Sequence, residues 1–341
     1  MSTSIWLNKG FSSTYNVLSL IREGDIDRRF RLLCSHTSTE FIGFAAADDA
    51  YIEPTLKLDD DYLAWCLQFC REQKVKLFIP ARRSSFIARH ATLFEETGTR
   101  IAPVCPDELH QTIDNKGLCY DFCRGHGLPI PDYHIVTNLE QFDAAYDLLK
   151  ERHPIVCFKP SVSVFGLGFK VLTEKGREID RLLNGDVYKI GLELARRIFG
   201  DQPEFREIMV MQYLGGDERS VDCLADRGKL LRHVIRRKSG HPGGAQILEE
   251  NKEISAISER LTTLFSLNGL YNIQFRESGG IPYLLEINPR MSGGIHYTSH
   301  SGLNLPYWGI CYALGLCGES EIPSPVTGAK VGKADIGVLV S

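Results

Sequence analysis

The chain has 341 residues, 43% of them hydrophobic and 24% charged, with a net charge of −4. That length allows two or three domains with a large core, and the slight acidic excess excludes a general nucleic-acid binder. No apolar run approaches a membrane span, and Met1 to Ile5 lacks the charged start and apolar core of a signal peptide.

In chain order, residues 4–7 read as a strand that ends at a loop carrying Gly10, Ser12 and Ser13. A helix follows through Val17, Leu18 and Ile21, then a strand over 30–34. Residues 60–73 put Tyr62, Trp65, Cys66 and Phe69 on one helical stripe, 75–79 is the next strand, and 84–96 the next helix. Such alternation implies a parallel sheet with helices on both faces, an α/β domain. Pro103 to Pro106 marks its boundary, which divides the chain into 1–106 and 107–341.

Beyond it, 116–124 is helical and ends at Gly125 and Gly127, and 139–151 is a helix capped by Asn138. An apolar strand over 156–159 ends in Lys159, and Pro160 holds that lysine extended. The small-residue loop 161–168 can cradle phosphate through backbone N–H groups, and 169–172 returns as a strand. It is not a P-loop, because no Gly-Lys-Ser/Thr precedes a helix, nor is it a dinucleotide turn. The basic run 232–238 reads as a solvated strand with some phosphate-facing members, and 253–267 as an amphipathic helix.

The strands 272–276 and 283–288 flank the turn 277–280, so they form a hairpin. Period-2 alternation puts Glu286 and Asn288 on one face, and Gln274 joins them as a third oxygen donor. Oxygen donors of this kind suit Mg²⁺, which borrows the rest of its shell from phosphates. Arg290, after Pro289, adds a planar fork for phosphate or carboxylate. His296 and His300 have i,i+4 spacing but no third ligand, so they read as loop or pocket histidines. The ten cysteines include no C-x-x-C and lie in apolar contexts; they read as buried thiols of a reducing, cytoplasmic compartment.

On these residues, over roughly 100–310, the chain resembles the ATP-grasp superfamily and most closely its carbamoyl-phosphate-synthase-like branch. Asp114, Asn115 and Lys116 ahead of Gly127, Pro129 and Pro131 look like the family's opening segment. The resemblance makes Lys116 and Lys159 the phosphate lysines, and Ser161, Ser163, Gly166 and Gly168 part of the nucleotide lid, with the lid subdomain at about 116–212. Residues 211–222 look like the hinge: backbone at Met211, Gln212 and Leu214 would meet adenine, and Glu218 the ribose. The hinge usually carries Glu where Met211 or Gln212 stands, which moves part of the adenine contact to the backbone. His241 resembles a γ-phosphate contact. Gln274, Glu286 and Asn288 match the metal ligands, with Lys159, Asn288 and Arg290 catalytic. Arg290, Gly293, Gly294, Ser12 and Ser13 would meet substrate.

The implied fold is α/β and α+β, a Rossmann-like domain ahead of a two-subdomain ATP-grasp fold. ATP and Mg²⁺ (or Mn²⁺) are the implied cofactors. The implied activity is an ATP-dependent carboxylate–amine or carboxylate–thiol ligase working through an acyl phosphate. A carbamoyl-phosphate-type enzyme and an inactive nucleotide-binding regulator are the alternatives. The implied partners are small carboxylates and amines, with neither nucleic acid nor membrane; a homodimer is allowed.

Overall fold

The computed structural model describes residues 2–101, 104–163, 166–240 and 243–339. They form three sheets. The first holds β1 (Thr3–Leu7), β2 (Phe30–His36), β3 (Asp49–Ile52), β4 (Val75–Ile79) and β5 (Arg100–Ile101), all parallel, in the order β3-β2-β1-β4-β5. The chain moves one way from β1 to β3 and then crosses to β4 on the other side, so the topological switch lies between β1 and β4. Alternation along β1 sends Trp6 to one face and Ile5 and Leu7 to the other. On the first face Trp6 stacks on Phe78 with ring centroids 3.9 Å apart, under α2 (Asp59–Gln73). On the second, Val17, Leu18 and Ile21 of α1 (Thr14–Gly24) cover Ile5 and Leu7.

The segment 84–96 is not one helix. It divides into α3 (Ser84–Arg89) and α4 (Ala91–Glu96), because His90 Nδ1 lies 2.9 Å from the Phe86 carbonyl and the His90 N–H turns to Ile87. α5 (Asp107–Asp114) then leads to α6 (Lys116–Gly125).

The second sheet comprises β6 (Tyr133–Val136), β7 (Val156–Pro160), β8 (Lys170–Thr173), β9 (Lys189–Gly191) and β10 (Ile208–Gln212), in the order β6-β10-β7-β8-β9. Val156 and Phe158 face α7 (Leu139–Arg152), whereas Cys157 packs with Tyr120 of α6. By the same parity Lys159 falls on the α6 side.

The third sheet contains β11 (Glu218–Asp226), β12 (Lys229–Arg237), β13 (Gln246–Glu249), β14 (Gly269–Ser278), β15 (Ile281–Asn288) and β16 (Lys330–Val331), in the order β15-β14-β11-β12-β13-β16. Gly279 and Gly280 take positive φ, 59° and 82°, and close the expected hairpin with a two-residue turn. The helix expected over 253–267 is Lys252–Leu264; Ser266 turns left-handed at φ 47°, and Leu267 N–H caps the Thr262 carbonyl. A short 3₁₀ stretch at Ile295–Ser301 precedes the last α-helix, Leu305–Ala313.

Compactness divides the chain into Met1–His110, Asp217–Gln274 and Ile287–Ser341 as one unit, and Gln111–Gly216 with Phe275–Glu286 as the other. The first sheet therefore groups with chain beyond Pro106 instead of standing alone. The lid expected at about 116–212 lies inside the second unit. Among the described residues no helix is long and apolar enough to cross a membrane.

Candidate functional site

In the second unit, Asn115 caps α6, its Oδ1 accepting from the N–H of Gly117 (2.9 Å) and Leu118 (3.2 Å). The cap fixes Lys116 at the first turn, where it is buried; Nζ donates to the Ser163 carbonyl at 2.9 Å and lies 3.5 Å from Glu286 Oε2. One turn on, at i+4, Tyr120 accepts a hydrogen bond from Lys159 Nζ at 3.1 Å and donates to the Leu285 carbonyl at 2.8 Å. Burial, and then the nearby Lys116 charge, push the Lys159 ammonium down to about 8, while Glu286 pulls the other way. Lys116 thus pairs with Glu286, and Lys159 lies in the field of both. Ser161 Oγ, at the start of the loop, is buried without a hydrogen-bond partner among the described residues. Gly168 sits at φ +80°, and a Cβ there would lie 2.8 Å from Pro160, so the loop requires glycine at that point. Gly166 also has positive φ (67°).

The hinge residues divide. Met211 lies in the middle of the sheet, paired with Tyr133 on β6 and Cys157 on β7. Its backbone belongs to that ladder, which corrects the expectation that it meets adenine. Gln212 Oε1 accepts from the Asp132 N–H at 3.0 Å and ties down the strand end. Leu214 follows in irregular, buried backbone. The expected contact at His241 lies outside the described residues.

In the first unit, Glu218 opens β11 and is ion-paired with Lys238. Gln274 Nε2 lies 3.4 Å from Asn272 Oδ1, and Asn272 Nδ2 donates to Asp222 Oδ1 and Ser220 Oγ. Asp222 accepts from Arg236 Nε at 2.8 Å, both side chains at most 2% exposed. The other Arg236 nitrogens reach Gln246, Ser220 and Ser292. A Cβ on Gly294 would stand 2.7 Å from Arg236 Nη1, so this glycine admits the guanidinium. Gly293 has open space around it. Arg290 Nη2 donates to Asn288 Oδ1 at 3.3 Å, and its guanidinium lies 5.4 Å from the Phe11 ring centre. Ser13 precedes α1 and lines a cavity with Arg290, whereas Ser12 is exposed outside that lining. His296 is held near Asn16 and against Tyr297, and burial lowers its pKa.

The basic run 232–238 is not solvated. Arg232 binds the carbonyls of Ile322 and Pro323, Arg237 pairs with Glu249, and Arg236 is buried. Sequence reading missed the Arg236–Asp222 pair. Its signal was polar residues at period 2 on facing strands: Ser220 and Asp222 on β11, with Arg236 in register with Ser220.

Among the described residues no group of three or more His, Cys, Asp or Glu is placed to hold a metal. Of the expected metal ligands, Glu286 and Asn288 lie two residues apart on β15, and Gln274 lies on β14.

Residues 204–335 match the family described as ATP-grasp in the biosynthetic pathway with Ter operon. The carbamoyl phosphate synthase large chain of Thermus thermophilus is 25% identical over 279 residues, 78% of this chain and 25% of that protein. The chain thus spans about a quarter of the length of the curated relatives it matches. Among solved structures, N5-carboxyaminoimidazole ribonucleotide synthetase in its ADP complex aligns with TM-score 0.66 at 16% identity, covering 96% of this chain and 79% of that one. The L-amino acid ligase of Bacillus licheniformis aligns with TM-score 0.61 at 16% identity, covering 95% and 78%. Residues 204–335 thus carry an ATP-grasp match, and the parallel first sheet and the two further sheets match the fold of those solved neighbours, as the element order had implied.

Proposed function

We propose that this protein is an ATP-grasp enzyme, an ATP-dependent carboxylate–amine ligase that forms an acyl phosphate and releases ADP and phosphate. The observation that carries the reading is the pair of amines, Lys116 Nζ 3.5 Å from Glu286 and Lys159 Nζ on the Tyr120 hydroxyl, each within the other's field, beside a Ser161 hydroxyl with no partner among the described residues. A buried excess of positive charge is costly unless an anion shares it, and a triphosphate is such an anion. Lys116 and Lys159 would neutralise phosphate oxygens, and the N–H groups of Ser163, Gly166 and Gly168 would meet them. Backbone at Leu214 would take the adenine edge, with Gln212 at the strand end beside it, and Glu218 would share its carboxylate between Lys238 and the ribose. Glu286, Asn288 and Gln274 would hold Mg²⁺, which would supply neutralisation of the phosphate charge.

Arg290 would orient the acceptor carboxylate, with the Gly293 and Gly294 amides on the same oxygens after phosphorylation. Positioning supplies most of the rate in such a transfer, because the protein contributes no covalent step. The product acyl phosphate is then attacked by an amine. A carbamoyl-phosphate-type reading has the curated relatives in its favour, and bicarbonate would then replace the organic acid. A homodimer is the assembly to look for by light scattering.

The test is ADP formation with a panel of carboxylic acids, with hydroxylamine as trap. A hydroxamate with ADP and inorganic phosphate is expected. Glu286→Gln should cut turnover by about a hundredfold or more, the scale of a lost preorganised electrostatic contact. AMP and pyrophosphate as products, or bicarbonate as the only stimulating acid, would overturn the ligase reading.

A further inference from the structure

A cavity of about 130 Å³ lies in the first unit at the carboxyl ends of β1 and β4. That is the switch point of the parallel sheet, where open α/β sheets leave a crevice. Its walls are held by buried polar groups. Asn8, fully buried in the loop after β1, accepts from the N–H groups of Ala81 (2.6 Å) and Arg82 (3.2 Å) in the loop after β4. Its amide donates to Tyr62 Oη and the Arg82 carbonyl. Glu53 accepts from the Lys9 N–H at 2.7 Å and from Ser35 Oγ at 2.8 Å. The two loops are therefore fixed against each other before any ligand arrives, so little ordering cost remains for binding.

The lining is mainly apolar: Leu7, Val17, Ile79, Leu270, Met291 and Ile310 contribute to it. Arg290 also lines it, set over the Phe11 ring. A cavity of about 150 Å³ with such walls accepts benzene. This one has room for a group of similar size. The lining also includes Asn8, Ser13, Thr14, Ser84 and His110, and a strongly hydrated side chain set against the apolar walls would lose its water there.

Resting on the ligase reading, we infer that this cavity takes the apolar group of the acceptor acid, phenyl or branched-aliphatic in size, with Arg290 on its carboxylate. Each methylene buried is worth roughly 0.8 kcal/mol, which is about fourfold in affinity. Small or polar acids are then poor ligands, and acids with two fused rings exceed the space.

The experiment is calorimetric titration of the full chain with acetate, butyrate, 4-methylpentanoate, phenylacetate, succinate and naphthylacetate. Affinity should climb about fourfold per added methylene as far as 4-methylpentanoate and phenylacetate, and fall for succinate and naphthylacetate. Ala88→Phe, on the cavity wall, should abolish the gain for phenylacetate while ADP still binds, which reports that the chain is folded. Ile79→Ala should move the optimum toward naphthylacetate. A flat series, or unchanged phenylacetate binding in Ala88→Phe, overturns the proposal. Because binding is read without turnover, the two ideas fail separately. The expected series without any acid-stimulated ADP would remove the ligase and keep the pocket. A flat series with succinate-driven ADP formation would do the reverse.

Discussion

Each unit of this protein buries charge, and they do so in opposite ways. In the first, one guanidinium meets one carboxylate, and the Arg236 nitrogens are further taken up by Gln246, Ser220 and Ser292. In the second, Lys116 meets Glu286 and the Ser163 carbonyl, and Lys159 donates to the Tyr120 hydroxyl within reach of the Lys116 charge. A balanced, fully bonded group is complete as it stands, and its role is to hold strands in register. An unbalanced one is under electrostatic stress, written in the depressed Lys159 pKa, and perturbed groups of that kind gather where ligands bind. The difference separates architecture from function more sharply than residue type, since both clusters contain the same sort of charge.

The strongest test of that contrast is to remove one partner from each. Arg236→Met leaves Asp222 buried without its cation and should cost about 3–5 kcal/mol. All three tryptophans, Trp6, Trp65 and Trp308, belong to the first unit, so fluorescence-detected denaturation reports the loss there directly. Arg236→Met combined with Asp222→Leu should recover most of it. Lys159→Met, in contrast, removes a strained amine and should leave stability unchanged or raised while weakening ADP binding. Equal losses from Arg236→Met and Lys159→Met would erase the distinction.

A smaller effect sharpens it. The Lys159 pKa lies near 8 in the fold and is lowered from 10.5. Below pH 8 the ammonium is charged in both folded and unfolded chains, and the fold bears the full penalty. Between about 8 and 10.5 the folded chain has released a proton that the unfolded chain keeps, so ligand-free stability from this group rises with pH. Nucleotide phosphates need the charged form, so ADP affinity should fall by up to about tenfold per pH unit above 8. Lys116, Glu286, Tyr120, Cys157 and Cys119 are the titratable groups that face it. Lys159→Arg, which keeps its charge, should flatten the profile in calorimetric titrations at pH 7, 8 and 9. A flat wild-type profile would place Lys159 away from the phosphates.

How much of this was legible in the sequence follows from the range of the forces involved. Local periodicity gave β1, β2, β4, the hairpin and most helices, because alternation and 3.6-residue stripes need only near neighbours. β3 and β5 escaped notice, being short strands of four and two residues at the sheet edges, too brief to show a pattern. Lys116, Lys159 and Glu286 were readable as candidates by motif, but their shared cluster is a product of strand parity and the α6 packing. Met211 was misjudged because nothing in its neighbourhood reveals that β10 has a strand on both sides. The Arg236–Asp222 pair and the Asn8 clamp depend on partners 14 and 54 or more residues away, beyond the reach of local pattern.

The smallest expected effect concerns how the second cluster is positioned. Asn115 caps α6 through two backbone N–H groups, and the helix begins with Lys116 itself. Replacing a side-chain cap by Ala costs about 1 kcal/mol, because the first-turn N–H groups lose their acceptor. Asn115→Ala should therefore speed amide exchange at Gly117 and Leu118 by roughly fivefold, the equivalent of that energy. The tryptophan-detected transition of the first unit should not move. ADP affinity should drop a few-fold, since Lys116 would no longer be held toward Ser163 and Glu286, and Asn115→Asp should restore it by supplying another capping oxygen at a helix N-terminus. Faster exchange with unaltered ADP affinity would mean that Lys116 finds its place from the packing of Tyr120 alone, and that the unbalanced cluster does not depend on the cap.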